Sequence, residues 1–134
     1  MVRDMDLIRD LMLKLEAFPS QKGSIWHFTD EEFLEGGELF IEGYTLDQIS
    51  YHLNLITDAG LIEGGSNSKT MSGILFRSIT WVGHDFLDSI RDPIIWEKTK
   101  KGALAAGGFT VDLLKDIAKG LLKKKVEDLT GVVL

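Results

Sequence analysis

The chain has 134 residues, a formal net charge of −6, no cysteine and two prolines. This length fits one compact domain that can fold without a disulfide or a metal ion. A repeat array and a disulfide-stabilised secreted scaffold are therefore not expected. A charged fraction of 27% beside 44% hydrophobic residues argues against disorder over most of the length.

The charge is unevenly divided along the chain. Residues 1–93 hold 7 Lys and Arg against 16 Asp and Glu, a net −9, whereas residues 94–134 hold 8 against 5, a net +3. The acidic part should repel polyanions. No apolar run approaches the roughly 20 residues that cross a bilayer, and the first residues do not resemble a signal peptide. We therefore expect a cytoplasmic protein with no membrane partner.

Hydrophobic spacing predicts the elements of the first half. A helix is expected over residues 5–17, a strand over 25–28, an acidic helix start over 29–33 and a strand over 39–41. Thr45 and Gln48 form a capping box that opens a helix over 45–59, and Gly60 suits its C-terminal cap. Residues 61–63 and 74–79 are predicted strands of a hairpin whose tip is residues 64–70.

Helices dominate the second half of the prediction. One starts at Thr80, and the next starts at Asp92 and Pro93 and ends near residue 101. The last is capped by Thr110 and reaches the lysines at 123–125. The fold class is therefore mainly α with a small antiparallel β-sheet (α+β). A winged-helix-like domain over residues 1–92, suggested by the order helix, strand, helix, hairpin, helix, is followed by C-terminal helices over 93–134.

Five segments together resemble a family of small bacterial and prophage proteins called domain of unknown function 2513. The resemblance covers nearly the whole chain and implies a fold and a genomic habitat, but no activity. Its segments are residues 3–10, 41–44, 51–53, 81–87 and 95–100.

DNA binding through the 45–59 helix and the wing is the alternative function. Gln48, Asn54, Lys69 and Arg77 are its candidate contacts. The predicted outward face of the helix, however, carries Asp47 and Asp58 and no basic residue, which disfavours phosphate contacts.

Protein association is the favoured function, in a regulatory or mobile-element setting that the resemblance implies. Tyr51 and Leu55 are candidate contacts, with packing beneath residues 20–44 as the alternative. A homodimer through the C-terminal helices would use apolar residues that could instead pack on the first helix. Those residues are Trp96, Leu114, Ile117 and Leu121. The lysines at 123–125 are interpreted as a solvated helix end.

No residue pattern supports catalysis. His27, His52 and His84 lack the spacing of a metal site, and neither a phosphate-binding loop nor a nucleophile elbow occurs. We therefore expect no catalytic residue, no metal and no cofactor, and predict that the protein is not an enzyme.

Overall fold

The computed structural model describes residues 1–64, 69–70, 73–108 and 110–134. In these ranges the chain forms five α-helices, five short strands and a 3-10 helical turn at Asp30–Phe33. The helices are α1 (Met5–Glu16), α2 (Leu46–Asp58), α3 (Trp81–Ile90), α4 (Pro93–Ala106) and α5 (Val111–Thr130). The strands are β1 (Trp26–Thr29), β2 (Ile62–Glu63), β3 (Lys69–Thr70), β4 (Gly73–Phe76) and β5 (Ser78–Ile79). The predicted α+β class is confirmed.

Chain packing forms two compact units, Met1–His84 and Asp85–Leu134. The division falls within α3 rather than at the Asp92–Pro93 helix start. In the first unit, α1 packs on α2, and α2 also contacts the strands β2 and β4. In the second unit, α4 packs on α5.

The first helix forms for the reasons that its sequence suggests. The Asp4 side chain accepts a hydrogen bond from the Leu7 amide at 3.2 Å and so caps the N-terminus. The apolar residues of α1 repeat at helical spacing and are buried, which secures a helix too short to be stable alone. They are Met5, Leu7, Ile8, Leu11, Met12 and Leu15.

The capping box of α2 is also confirmed. The Gln48 amide donates to the Thr45 hydroxyl at 3.2 Å, and the Thr45 amide donates to the Gln48 side chain at 2.9 Å. Gly60 follows the helix with a φ of +73°, a conformation that glycine adopts without strain. Local sequence chemistry therefore sets both ends of this helix.

The strands belong to two small antiparallel sheets. One has the order β1–β4–β3, with Trp26 opposite Phe76 and Phe28 opposite Ile74, and the other pairs β2 with β5. The prediction of a single strand over residues 74–79 was wrong, because this segment divides at Arg77 into β4 and β5. There the carbonyl of Arg77 accepts a hydrogen bond from the Ser20 hydroxyl at 3.2 Å.

The strand predicted over residues 39–41 was also wrong. Leu39 lies in a turn and residues 40–41 are irregular. The Leu39 amide donates to the Glu32 carbonyl at 2.9 Å, and the Phe40 amide donates to the Gly37 carbonyl at 3.3 Å. Leu39 is fully buried, so its apolar character serves packing rather than strand pairing. The acidic start over residues 29–33 forms only the 3-10 turn, with a capping box between Thr29 and Glu32.

Two predicted helices extend further than expected. The fourth continues to Ala106, where Gly107 ends it with a φ of +88°. The fifth starts at the predicted Thr110 cap and continues past the lysines to Thr130. Asp92 caps α4 as predicted, accepting from the Ile94 amide at 2.8 Å.

Replacing either of two helical glycines by alanine should change the stability of the fold in opposite directions. A Cβ on Gly83 would overlap the carbonyl oxygen of Leu61, whereas a Cβ on Gly120 would meet nothing within 4 Å. Gly120→Ala should therefore raise the free energy of unfolding by roughly 0.5–1 kcal/mol through helix propensity. Gly83→Ala should lower it by about 1–3 kcal/mol through steric overlap. Chemical denaturation of both variants measures this, and equal effects would contradict the close approach at Gly83.

Candidate interaction surfaces

The orientation of α2 is set by its contact with the start of α1. His52 is buried, and its Nε2 accepts a hydrogen bond from the backbone amide of Asp4 at 2.8 Å. Because Nε2 accepts, Nδ1 carries the proton and donates to the Gln48 carbonyl at 2.7 Å. Both ring nitrogens of His52 are therefore used within the fold.

Tyr44 extends this contact. Its hydroxyl donates to the Asp4 carboxylate at 2.7 Å, while the other carboxylate oxygen of Asp4 caps α1. The hydrogen bond to Asp4 together with burial raises the pKa of Tyr44 to about 12. The turn before α2 and the start of α1 are thus held by one carboxylate.

The outward face of α2 carries the first predicted protein contacts. Tyr51 is exposed, and its ring lies edge-on to the His52 ring at 5.5 Å, whereas Leu55 is half-buried. Asp47 and Asp58 are exposed on the same helix. The face that a partner would meet is therefore acidic, with one exposed aromatic ring.

The structure describes three of the four candidate DNA contacts, and two of them, Gln48 and Arg77, already bind other groups of the chain. The Gln48 side chain completes the capping box, and Oδ1 of Asn54 is buried without a hydrogen-bond partner. A guanidinium nitrogen of Arg77 lies 3.4 Å from the Glu63 carboxylate, which offsets its charge. The side chain of Lys69 and residues 65–68 of the predicted wing lie outside the described residues.

The residues predicted to form a dimer lie on α4 and α5, which pack against each other. Trp96 and Leu114 are fully or almost fully buried, and Ile117 and Leu121 are half-buried. A Cβ on Gly102 would lie 3.4 Å from the Ile117 side chain, so the two helices approach closely there. This stripe therefore packs largely within the chain.

A second apolar stripe on α5 was missed by the sequence reasoning. Leu122, Val126 and Leu129 follow at spacings of four and three, and Leu129 is 76% exposed. The spacing was visible in the sequence, but the helix was expected to stop near the lysines. Ile94 at the start of α4 is 67% exposed.

A groove of about 420 Å³ lies between the start of α4 and the end of α5. Its lining combines four apolar residues with three lysines and two aspartates. The Lys125 ammonium lies 3.1 Å from the Asp92 carboxylate, and this contact and the backbone amides of α4 hold the pKa of Asp92 below its usual value. The lining residues are Asp92, Ile94, Ile95, Lys98, Leu121, Lys124, Lys125, Asp128 and Leu129.

The remaining histidines do not gather into a metal centre. His27 and His84 are exposed, on β1 and α3. Among the residues that the structure describes, no three His, Asp or Glu side chains are grouped so as to hold a metal ion. Within those same ranges no helix has the length and apolar character needed to span a membrane.

The sequence model of a family described as "Hypothetical protein (DUF2513)" matches residues 2–109. The chain belongs to this family. A Haemophilus influenzae relative titled "Uncharacterized protein" is 31% identical over 126 residues, covering 92% of this chain and 98% of that relative. No solved structure matches the chain significantly. Residues 110–134, which include all of α5, lie outside the segment that matches the DUF2513 model.

The Tyr44–Asp4 contact is testable by titration. In Tyr51→Phe, Tyr44 is the only tyrosine, and its pKa should lie at about 12 rather than 10.0. The folded state favours the neutral phenol of Tyr44. The contribution of this group to the stability of the fold is therefore complete below pH 10.0 and is lost as the pH rises through about 12. Tyrosinate absorbance gives the pKa, and circular dichroism verifies folding at each pH.

The double variant Tyr51→Phe/Asp4→Asn supplies the control. Asparagine still accepts hydrogen bonds at the helix cap but removes the negative charge, so the pKa of Tyr44 should fall toward its ordinary value. An unchanged pKa in this variant would contradict the assigned contact.

Proposed function

We propose that this protein is a non-catalytic association module that pairs with a second copy of itself through the groove between α4 and α5. The observation that carries the proposal is the exposure of Ile94 and Leu129, two large apolar side chains on opposite helices of one groove. Covering apolar side chains at a surface groove removes them from water, and this burial favours association.

The charges of the groove support a second copy as the partner. A two-fold contact brings the same patch of both copies together, so the patch must complement itself. Lys98 and Lys124 lie in the lining beside Asp128, and the lysines of one copy would face the aspartate of the other. A groove of one charge sign would instead repel its own copy.

In this proposal the first unit is a winged-helix-like scaffold. The sheet order β1–β4–β3, with α2 between β1 and β2 in the chain, supports that interpretation. The regulatory or mobile-element setting rests on the family resemblance alone. Cytoplasmic location also remains a prediction.

Self-association should depend on the exposed groove residues. Leu129→Glu places a carboxylate where an apolar side chain would be covered, which should weaken pairing by roughly tenfold or more. Val82→Glu is the matched control, because Val82 is 47% exposed and lies on α3 in the first unit. Sedimentation equilibrium compares the dissociation constants, and equal values for the two variants would contradict the groove as the interface.

DNA binding remains the second proposal, because the strand order and α2 suit a winged helix. The acidic outward face of α2 and the Glu63 carboxylate beside Arg77 oppose it. Fluorescence anisotropy with a labelled duplex at two salt concentrations should show no saturable binding. Tight binding that weakens steeply with added salt would instead favour the DNA proposal.

A further inference from the structure

Phe18, Trp26 and Phe28 form an aromatic cluster in the first unit, in which Trp26 is exposed, Phe18 is half-buried and Phe28 is buried. The Trp26 and Phe28 rings are parallel within 2° at a centroid distance of 6.1 Å. The Phe18 ring meets both edge-on, at 5.2 Å from Trp26 and 4.9 Å from Phe28. These contacts, and the hydrogen bond from the Trp26 indole nitrogen to the Pro19 carbonyl at 3.2 Å, fix the orientation of Trp26.

Trp26 separates two adjoining recesses. Although it is held in place, its side chain remains 36% exposed. The first recess, of about 470 Å³, is largely apolar and is lined by Lys14, Ala17, Phe18, Pro19, Trp26 and Glu38. The second, of about 490 Å³, is acidic, and Trp26 and Glu38 line both.

The acidic recess is shaped by a tight turn. A Cβ on Gly37 would overlap the carbonyl oxygens of Glu31 and Glu32, so only glycine allows the chain to fold back there. The Glu32 carbonyl also accepts a hydrogen bond from the Leu39 amide at 2.9 Å. The turn therefore brings Glu31 and Glu38 into the lining of one recess.

Four glutamates line this recess together with one histidine, His27. Glu32 is used by the Thr29 capping box, whose hydrogen bonds lower its pKa. Across the described parts of the chain, no lysine or arginine forms an ion pair with Glu31, Glu35 or Glu38. A cationic occupant would relieve their mutual repulsion and could also contact the face of Trp26.

We propose that these two recesses bind a basic, apolar peptide segment of a partner protein. An arginine or lysine side chain occupies the acidic recess beside Trp26, and a neighbouring leucine-like side chain occupies the apolar recess. Each recess has the volume of a small binding site, and their shared wall suits consecutive parts of one peptide. The charge complementarity selects a basic partner, and the apolar recess distinguishes this site from general attraction to an acidic surface.

A peptide titration with the full chain tests this proposal. The probe is a fluorescein-labelled hexapeptide that alternates leucine and arginine, followed by anisotropy at low salt. Saturable binding is expected. A glycine–arginine peptide should bind at least about fivefold more weakly because it lacks apolar side chains, and a leucine–glutamate peptide should not bind.

Matched variants locate the site. Glu31→Gln/Glu35→Gln should weaken the leucine–arginine peptide by about fivefold, since two exposed ion pairs are lost. Glu42→Gln/Asp47→Asn removes the same charge from exposed positions elsewhere on the unit and should leave binding within about twofold. Trp26→Ala should also weaken binding, whereas Trp81→Ala, at another exposed tryptophan, should not.

The proposal is overturned by any of four results. The first is the absence of saturable binding by the leucine–arginine peptide. The second and third are that the glycine–arginine or the leucine–glutamate peptide binds as tightly as the leucine–arginine peptide. The fourth is that Glu31→Gln/Glu35→Gln and Glu42→Gln/Asp47→Asn reduce its affinity equally. The glutamate substitutions lie at the surface, so this test does not depend on Trp26→Ala remaining folded. It can also be separated from self-association, because Leu129→Glu should weaken pairing and Leu129 lines neither recess.

Discussion

The hydrogen bond from the backbone amide of Asp4 to Nε2 of His52 ties the start of α1 to the middle of α2. It joins residues 48 positions apart in a partly buried setting, where leaving either group unpaired would cost free energy. Tyr44 binds the same aspartate, so the approach to α2 is fixed as well. The rotation of α2 about its axis follows from this contact and from the burial of Ile49, Leu53 and Ile56.

That rotation has a functional consequence. With His52 turned inward, Asp47, Tyr51 and Asp58 face outward, so the helix presents carboxylates to any approaching partner. Apolar partner surface is available instead on α4 and α5, where Ile94 and Leu129 are exposed beside both signs of charge. The physical basis of the proposed association is therefore apolar burial with local charge matching, rather than attraction of a polyanion.

Features that depend on neighbouring residues were predictable from the sequence. The Thr45–Gln48 capping box, the Asp92 cap and the glycine after α2 are set within a few positions, and all three form as expected. Features that depend on distant partners were not. The apolar run at residues 39–41 indicated a strand, but Leu39 is buried beside a turn, and no neighbouring residue encodes the Ser20 contact at which the last strand divides. The second apolar stripe of α5 was not predicted because the helix was expected to end near the lysines at 123–125, whereas it continues to Thr130.

The mass of the full chain in solution tests the central claim most directly. Light scattering after size exclusion, over a series of increasing protein concentrations, should approach twice the 15.0 kDa of one chain. A mass that remains at 15.0 kDa at the highest concentration would contradict pairing through the α4–α5 groove.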